Sequence, residues 1–165
     1  TGPAPLPELL EAGVRVGIGL DQPNDGHDMF QLMKLSMLAQ RAGGDLWGSP
    51  ELMLELATAG GAGALGLDTG GIEVGRWADL VVVNGRHPSL QPRHSAVSNL
   101  VLAAGPQAIR SVYTRGVKTV ESGRHLVWDE DEVVDAADEA MRRCLARAGL
   151  SNGLWSEWTR EQEEQ

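Results

Sequence analysis

Apolar residues recur along the chain in patterns that predict a sequence of distinct elements. Val14, Val16, Ile18 and Leu20 alternate with Arg15, Gly17 and Gly19. That near absence of polar side chains is the pattern of a strand covered on both faces. A short helix over Pro7–Ala12 precedes it, with Pro7 in the first turn and Gly13 just past the end. The strand runs out at Asp21 into a loop, Gln22 to Gly26, and a helix follows from His27 to Arg41. Its Met29, Phe30, Leu32, Met33, Leu35, Met37 and Leu38 leave only a narrow polar stripe, so most of its circumference is expected to be buried. Ser49-Pro50-Glu51 opens another helix, with Ser49 as N-cap and Pro50 at the first position. Gly60, Gly61 and Gly63 disfavour that helix, and are expected to permit close backbone approach or to end it early.

Beyond Gly66 the pattern shortens to strands. Ala78 to Asn84 reads as a buried strand, and Val97 to Ala103 as a second strand candidate. Ile109–Thr114 and Val117–Val120 flank Arg115-Gly116, a two-residue hairpin signal. Gly123 turns the chain into a last short strand, Arg124 to Val127. Residues 129–148 then form an amphipathic helix, acidic in its first turn and carrying Arg142, Arg143 and Arg147 toward its end. Both ends complement the helix dipole. Val133, Val134, Ala137, Met141, Cys144, Leu145 and Ala148 share one face, which places Cys144 as a buried small hydrophobe. The tail 151–165 is polar apart from Leu154, Trp155 and Trp158.

Composition narrows the function classes. The 165 residues carry 14 basic and 23 acidic side chains, a formal charge of −9. Residues 126–165 hold 11 of the acids and 4 of the bases, so the imbalance belongs to the C-terminal end. An acidic chain without clustered Lys and Arg is no phosphate-backbone binder, and two tryptophans on an acidic tail make no base-stacking platform. No nucleic-acid or membrane partner is therefore expected; no run approaches the ~18–20 apolar residues of a span. One cysteine excludes an internal disulfide framework and suits a reducing cytoplasm. The chain opens on Thr1 rather than Met, as a processed chain or a fragment would. A complete (β/α)8 barrel takes about 250 residues, so this chain is not a whole one.

Asp21 is the most informative position, because ligands bind at the carboxyl ends of strands in parallel α/β architectures. A carboxylate there can hold a divalent cation or accept a proton from an activated water. The competing reading is an Asp that caps the loop or pairs with a base. Asp25 fits an N-cap, with Asp28 as the capping acid three residues on. His27 reads as an exposed helix-start residue. His87, His94 and His125 show neither H-x-H nor H-E-x-x-H spacing and read as solvated surface. Gly17-Ile18-Gly19 lacks the rest of a dinucleotide fingerprint.

The order of segments resembles the amidohydrolase superfamily. Val14-Arg15-Val16-Gly17-Ile18-Gly19-Leu20-Asp21 is similar to that family's last barrel strand, G-V-x-V-G-L-G-T-D, and Asp28-Met29-Phe30 to the D-M-F that follows. Leu56 to Leu67 resembles A-T-x-N-G-A-x-A-L-G-L, and Gly71 to Val83 resembles G-S-I-E-V-G-K-x-A-D-L-V-V-V. Val112 to Val117 matches the V-x-V-x-G-x of the small β-domain. The likeness is greatest to the cytosine-deaminase, guanine-deaminase and chlorohydrolase-like branch.

The resemblance implies an α/β-plus-β fold. Residues 1–67 would be the C-terminal part of a (β/α)8 barrel and 68–127 part of a small β-sandwich. Residues 128–150 would be a C-terminal helix and 151–165 a polar tail. It implies Zn²⁺ or Fe²⁺ in the intact enzyme, with water attacking an amino- or halide-bearing carbon of a small heterocyclic substrate. Asp21 matches the aspartate that contacts the metal and moves the proton, and Asn24 becomes a substrate contact. The family's H-x-H pair and its remaining histidines and glutamate have no counterpart here. Leu20 stands where Ser or Thr is usual, and Gly61 where Asn is common. The expectation is therefore a C-terminal portion, inactive alone and binding no metal alone. It would form a homo-oligomer or associate with the missing N-terminal part. A non-catalytic scaffold and one half of a two-chain enzyme are the alternatives.

Overall fold

A computed structural model describes residues 4–21, 26–44 and 48–150. The chain forms two compact units, residues 1–123 and 124–165.

The first unit opens with α1 (Leu6–Glu11), closed by Gly13 at φ +74°. α2 (Met29–Ala42) starts at Asp28, whose side chain accepts from the Phe30 amide at 2.9 Å. Asp28 is thus the N-cap itself and not the second acid of a capping box; Asp25 lies outside the described residues. α3 (Pro50–Glu55) is capped by Ser49, whose Oγ accepts from the Leu52 amide at 3.1 Å.

α3 does not stop at the glycines. It passes through a π turn (Leu56–Gly60) into α4 (Gly61–Leu65), which Gly66 ends in the left-handed region. The core is Leu6, Met33, Met37, Met53, Leu56 and Val101, with α2, α3 and a later helix, α5 (Ala96–Ala103), packed on one another. The Met-rich helix is core, as its spacing predicts. Only the Met33, Met37 and Gln40 stripe is fully buried, while Leu35 and Leu38 are exposed, so the buried arc is narrower than expected.

Residues 14–20 pair with no strand among those described. A strand is defined by its neighbour's hydrogen bonds, and the apolar pattern predicts burial without supplying that neighbour. What holds this segment is the helix beside it. The Ile18 amide donates to the Leu56 carbonyl at 3.2 Å, and Arg15 Nη1 donates to the Gly63 carbonyl at 3.2 Å.

The sheet of the first unit is antiparallel, in the order β1 (Leu80–Val83), β2 (Ile109–Thr114), β3 (Val117–Glu121). Arg115 (φ 49°) and Gly116 (φ 80°) form the β2–β3 turn, both at positive φ as a primed hairpin turn requires. β1 is not the buried strand its composition predicts. Val81 is 56% exposed and Val82 41%. Adjacent residues point to opposite faces, so each face of β1 carries one exposed valine beside one half-buried residue, Leu80 or Val83.

Val97 to Ala103 is helical and not a strand. Ser95 caps it, its Oγ accepting from the Ser98 amide at 3.2 Å, and Val97, Leu100 and Val101 fall at i, i+3, i+4. Asn99, which a buried strand would strand without partners, donates to the carbonyls of Leu90 (2.8 Å) and Pro92 (3.2 Å).

The second unit contains β4 (Arg124–His125), two residues shorter than predicted, and α6 (Glu130–Arg147). Asp129 caps α6, accepting from the amides of Asp131 and Glu132. None of its residues is buried, and Cys144 is exposed, contrary to the sequence expectation. An apolar helix face needs a partner surface to become interior, and the periodicity of the helix cannot supply one.

Candidate functional site

Asp21 is placed by glycine-to-glycine contact. A Cβ on Gly17 would sit 2.6 Å from the Gly61 Cα, and one on Gly60 would sit 2.7 Å from the Val16 carbonyl oxygen. Only hydrogen at these positions lets the 14–20 segment lie directly on the π turn. The segment then runs out at Asp21, an exposed carboxylate. The sequence expectation of close approach is met at Gly60 and Gly61, while Gly63 has nothing within 4 Å of its would-be Cβ.

The other candidates are not gathered around Asp21. Asn24 lies outside the described residues. His27 is exposed and Asp28 is committed to the α2 cap. His87 is half-buried, its Nδ1 2.9 Å from Ser89 Oγ and accepting from the Ser89 amide, so it shapes a short turn. His94 is exposed. His125 Nδ1 accepts from the amides of Val127 and Trp128, and its ring stacks on Trp128 at 4.6 Å between centroids. His87 and His125 are local structural residues.

The structure assembles one cluster that no periodic pattern in the sequence signals. The Arg115 amide donates to Asp79 Oδ1 at 2.7 Å, and the Arg115 guanidinium lies over the Trp77 ring, 4.2 Å from its centroid. That amide, chiefly, holds the Asp79 carboxyl below the usual carboxylate range. The Thr69 hydroxyl is buried and completes no hydrogen bond among the described residues, so the Arg115 amide is the contact that counts. The signal for this cluster was the positive-φ Arg in the hairpin, but it ties β1 to the β2–β3 turn and carries no chemistry.

A groove of ≈ 730 Å³ lies along the sheet, bordered by Val82, Asn84, Gln107, Ile109, Arg110 and Ser122. Asp21 is not among its walls.

A tetrahedral zinc site takes four donors, at least three from protein in catalytic sites. Among the described residues no three His, Cys, Asp or Glu side chains come together in a way that could hold a metal ion. Asp21 offers one carboxylate, so these residues by themselves do not fit a catalytic metal.

Comparison with known proteins decides the family. The profile of the Amidohydrolase family matches residues 1–120. The chain belongs to the amidohydrolase family. Within it, this amidohydrolase chain falls in the deaminase and chlorohydrolase branch. It is 35% identical over 155 residues to a 5'-deoxyadenosine deaminase of Methanosarcina acetivorans, covering 90% of this chain and 35% of that protein. It is 39% identical over 151 residues to a 5-methylthioadenosine/S-adenosylhomocysteine deaminase of Desulforudis audaxviator, covering 88% and 35%.

Among solved structures, an adenosine deaminase from Xanthomonas campestris with bound zinc superposes with a TM-score of 0.76 at 32% identity, covering 82% of this chain and 32% of that one. An atrazine chlorohydrolase from Arthrobacter aurescens complexed with zinc gives 0.76 at 29% identity, covering 84% and 32%. The amidohydrolase chain spans about a third of the length of these relatives. Its fold is that of its amidohydrolase neighbours over this stretch, helices with a small antiparallel sheet. No helix among the described residues is long and apolar enough to cross a membrane.

Proposed function

We propose that this chain is the C-terminal portion of a metal-dependent deaminase that hydrolyses a non-peptide C–N bond on an amino-substituted heterocycle. Residues 1–67 would belong to the barrel, 68–127 to the small β-domain, 128–150 to the C-terminal helix and 151–165 to the tail. Support comes from the ordered likeness to proteins named as deaminases over about nine-tenths of the chain. Because those relatives act, by name, on adenosine-type nucleosides, the proposed substrate has an exocyclic amino group on a purine. C–halide hydrolysis is the chlorohydrolase neighbour's chemistry and takes second place, since the curated relatives cited are deaminases.

Asp21 is the residue on which the chemistry rests. Carried outward at the end of a segment locked on the π turn, its carboxylate would take a proton from the attacking water and return it to the departing amine. General acid–base catalysis of this kind contributes about 10²–10⁴-fold. It needs the group within hydrogen-bond reach of the proton, which a segment fixed backbone to backbone can ensure. Asn24 is the proposed substrate contact from the loop that follows. The metal's remaining donors would come from protein outside this chain, so the chain alone is expected to bind no stoichiometric metal and to turn nothing over.

The experiment joins this chain to the N-terminal two-thirds of the D. audaxviator relative and measures ammonia release from 5'-deoxyadenosine, 5-methylthioadenosine and adenosine. The joined protein is expected to deaminate at least one, and Asp21→Asn to lower kcat by about 10²–10⁴-fold. Stoichiometric zinc or iron with turnover by the 165-residue chain alone would overturn the fragment reading. Full activity of the joined Asp21→Asn protein would overturn the role of Asp21.

A further inference from the structure

We propose that α6 pairs antiparallel with the α6 of a second copy of this chain, along the seam Val134, Ala137, Met141, Cys144. The helix has 18 residues and none is buried; Val133, Val134 and Met141 are 53%, 59% and 60% exposed. The spacing of the seam residues alternates three and four, the repeat that keeps one stripe of a helix facing a partner helix. Most of a helix's stability in a protein comes from packing its amphipathic face against a partner rather than from propensity.

Charge identifies the occupant and its direction. All six acids of the helix lie in residues 130–139, and its three bases, Arg142, Arg143 and Arg147, lie in 142–147. A second α6 running the opposite way sets each acidic half against a basic half and opposes the two helix dipoles. A parallel copy would put acid on acid and base on base. Glu139 already reaches Arg142 at 3.0 Å and Arg143 at 3.6 Å within the helix, so the two charge blocks meet at its middle.

An antiparallel axis at residue 139 makes two layers, each formed twice: Val134 against the partner's Cys144, and Ala137 against the partner's Met141. Both layers match the a-to-d facing of antiparallel coiled coils. The catalytic reading plays no part in this pairing.

The test uses the full 165-residue chain. Light scattering is expected to find a dimer, and Met141→Glu, at an exposed position, is expected to return it to monomer with an unchanged circular-dichroism spectrum. In a glutathione redox buffer Val134→Cys is expected to form a covalent dimer through Cys144 at least tenfold more readily than the unsubstituted chain. A monomeric chain in which Val134→Cys does not cross-link would overturn the proposal and leave the face to the tail or to other protein. So would a dimer that survives Met141→Glu. Cross-linking of the unsubstituted chain as readily as Val134→Cys would indicate parallel pairing, and would overturn it too.

Discussion

Asp28 stands between a structural and a chemical role, and its contacts assign it to structure. Its carboxylate accepts the Phe30 amide at the start of α2. Asn can do the same, whereas Ala leaves that amide without its partner. Asp28→Ala is therefore expected to cost about 1 kcal/mol, within the usual ~0.5–2 range for a lost N-cap, and Asp28→Asn almost nothing, by urea denaturation. A second residue-scale prediction concerns Asp79. Its carboxyl is held below its ordinary range by the Arg115 amide, so the folded form binds that proton less readily than the unfolded one. The resulting stabilisation is present above the ordinary carboxylate pKa and fades as pH falls through the lowered one. Thermal melts across the acid range should show Asp79→Asn losing part of the wild-type fall in Tm below pH 4. A variant with the wild-type acid profile would show the contact has no energetic weight.

At the scale of elements, the decisive feature is the crossing of residues 14–20 over the π turn. No side chain separates the two backbones at Gly17, Gly60 and Gly61, so this contact fails when a methyl group is inserted. Gly17→Ala is expected to destabilise by about 1–3 kcal/mol through overpacking. Gly63 has nothing within 4 Å of its would-be Cβ and lies in α4, so Gly63→Ala is expected to stabilise by about 0.5–1 kcal/mol. Paired denaturation curves decide it; equal effects of the two substitutions would mean the crossing is loose. Because the crossing aims Asp21, Gly17→Ala should also reduce activity in the joined enzyme. Legibility at this scale followed locality. The Ser49 cap and the Arg115-Gly116 turn depend on residues within a few positions, and pattern alone located them, whereas Asp129 reads as the first acid of α6 and is its cap in the structure. The α5 segment reads as a strand because a run of Val, Leu and Ala suits helix and strand alike, and the choice rests on Ser95 capping and on Val101 reaching the α2–α3 core.

For the whole molecule, the informative quantity is apolar surface left in water. Ile72 is 90% exposed, and Val74, Val81, Val82 and Trp77 are exposed as well. Single exposed apolar residues are ordinary, and here several from one loop and strand together leave more apolar surface in water than scattered singles would. If that surface finds its cover outside this chain, Val74→Lys should leave Tm nearly unchanged, with a stability change inside about ±0.5 kcal/mol. It should raise the concentration at which the chain begins to aggregate. A large fall in Tm would show Val74 is covered within the chain in solution. The acidic excess of residues 126–165 should also concentrate salt sensitivity in the second unit.

What the sequence by itself determined is local or ordinal: the Ser49 cap, the hairpin turn, the core stripe of α2, and the motif order that signals the amidohydrolase family. These depend on neighbours along the chain or on residue succession, which the sequence states outright. The tertiary structure decided which apolar faces find cover. It showed residues 14–20 held by α4 and the π turn and, among the described residues, by no strand, β1 with an exposed valine on each face, and Cys144 at the surface. It also showed Asp21 exposed without, among the described residues, the donors a metal needs. Burial and coordination require surfaces from distant segments to meet, and a periodic pattern can ask for a partner without containing it.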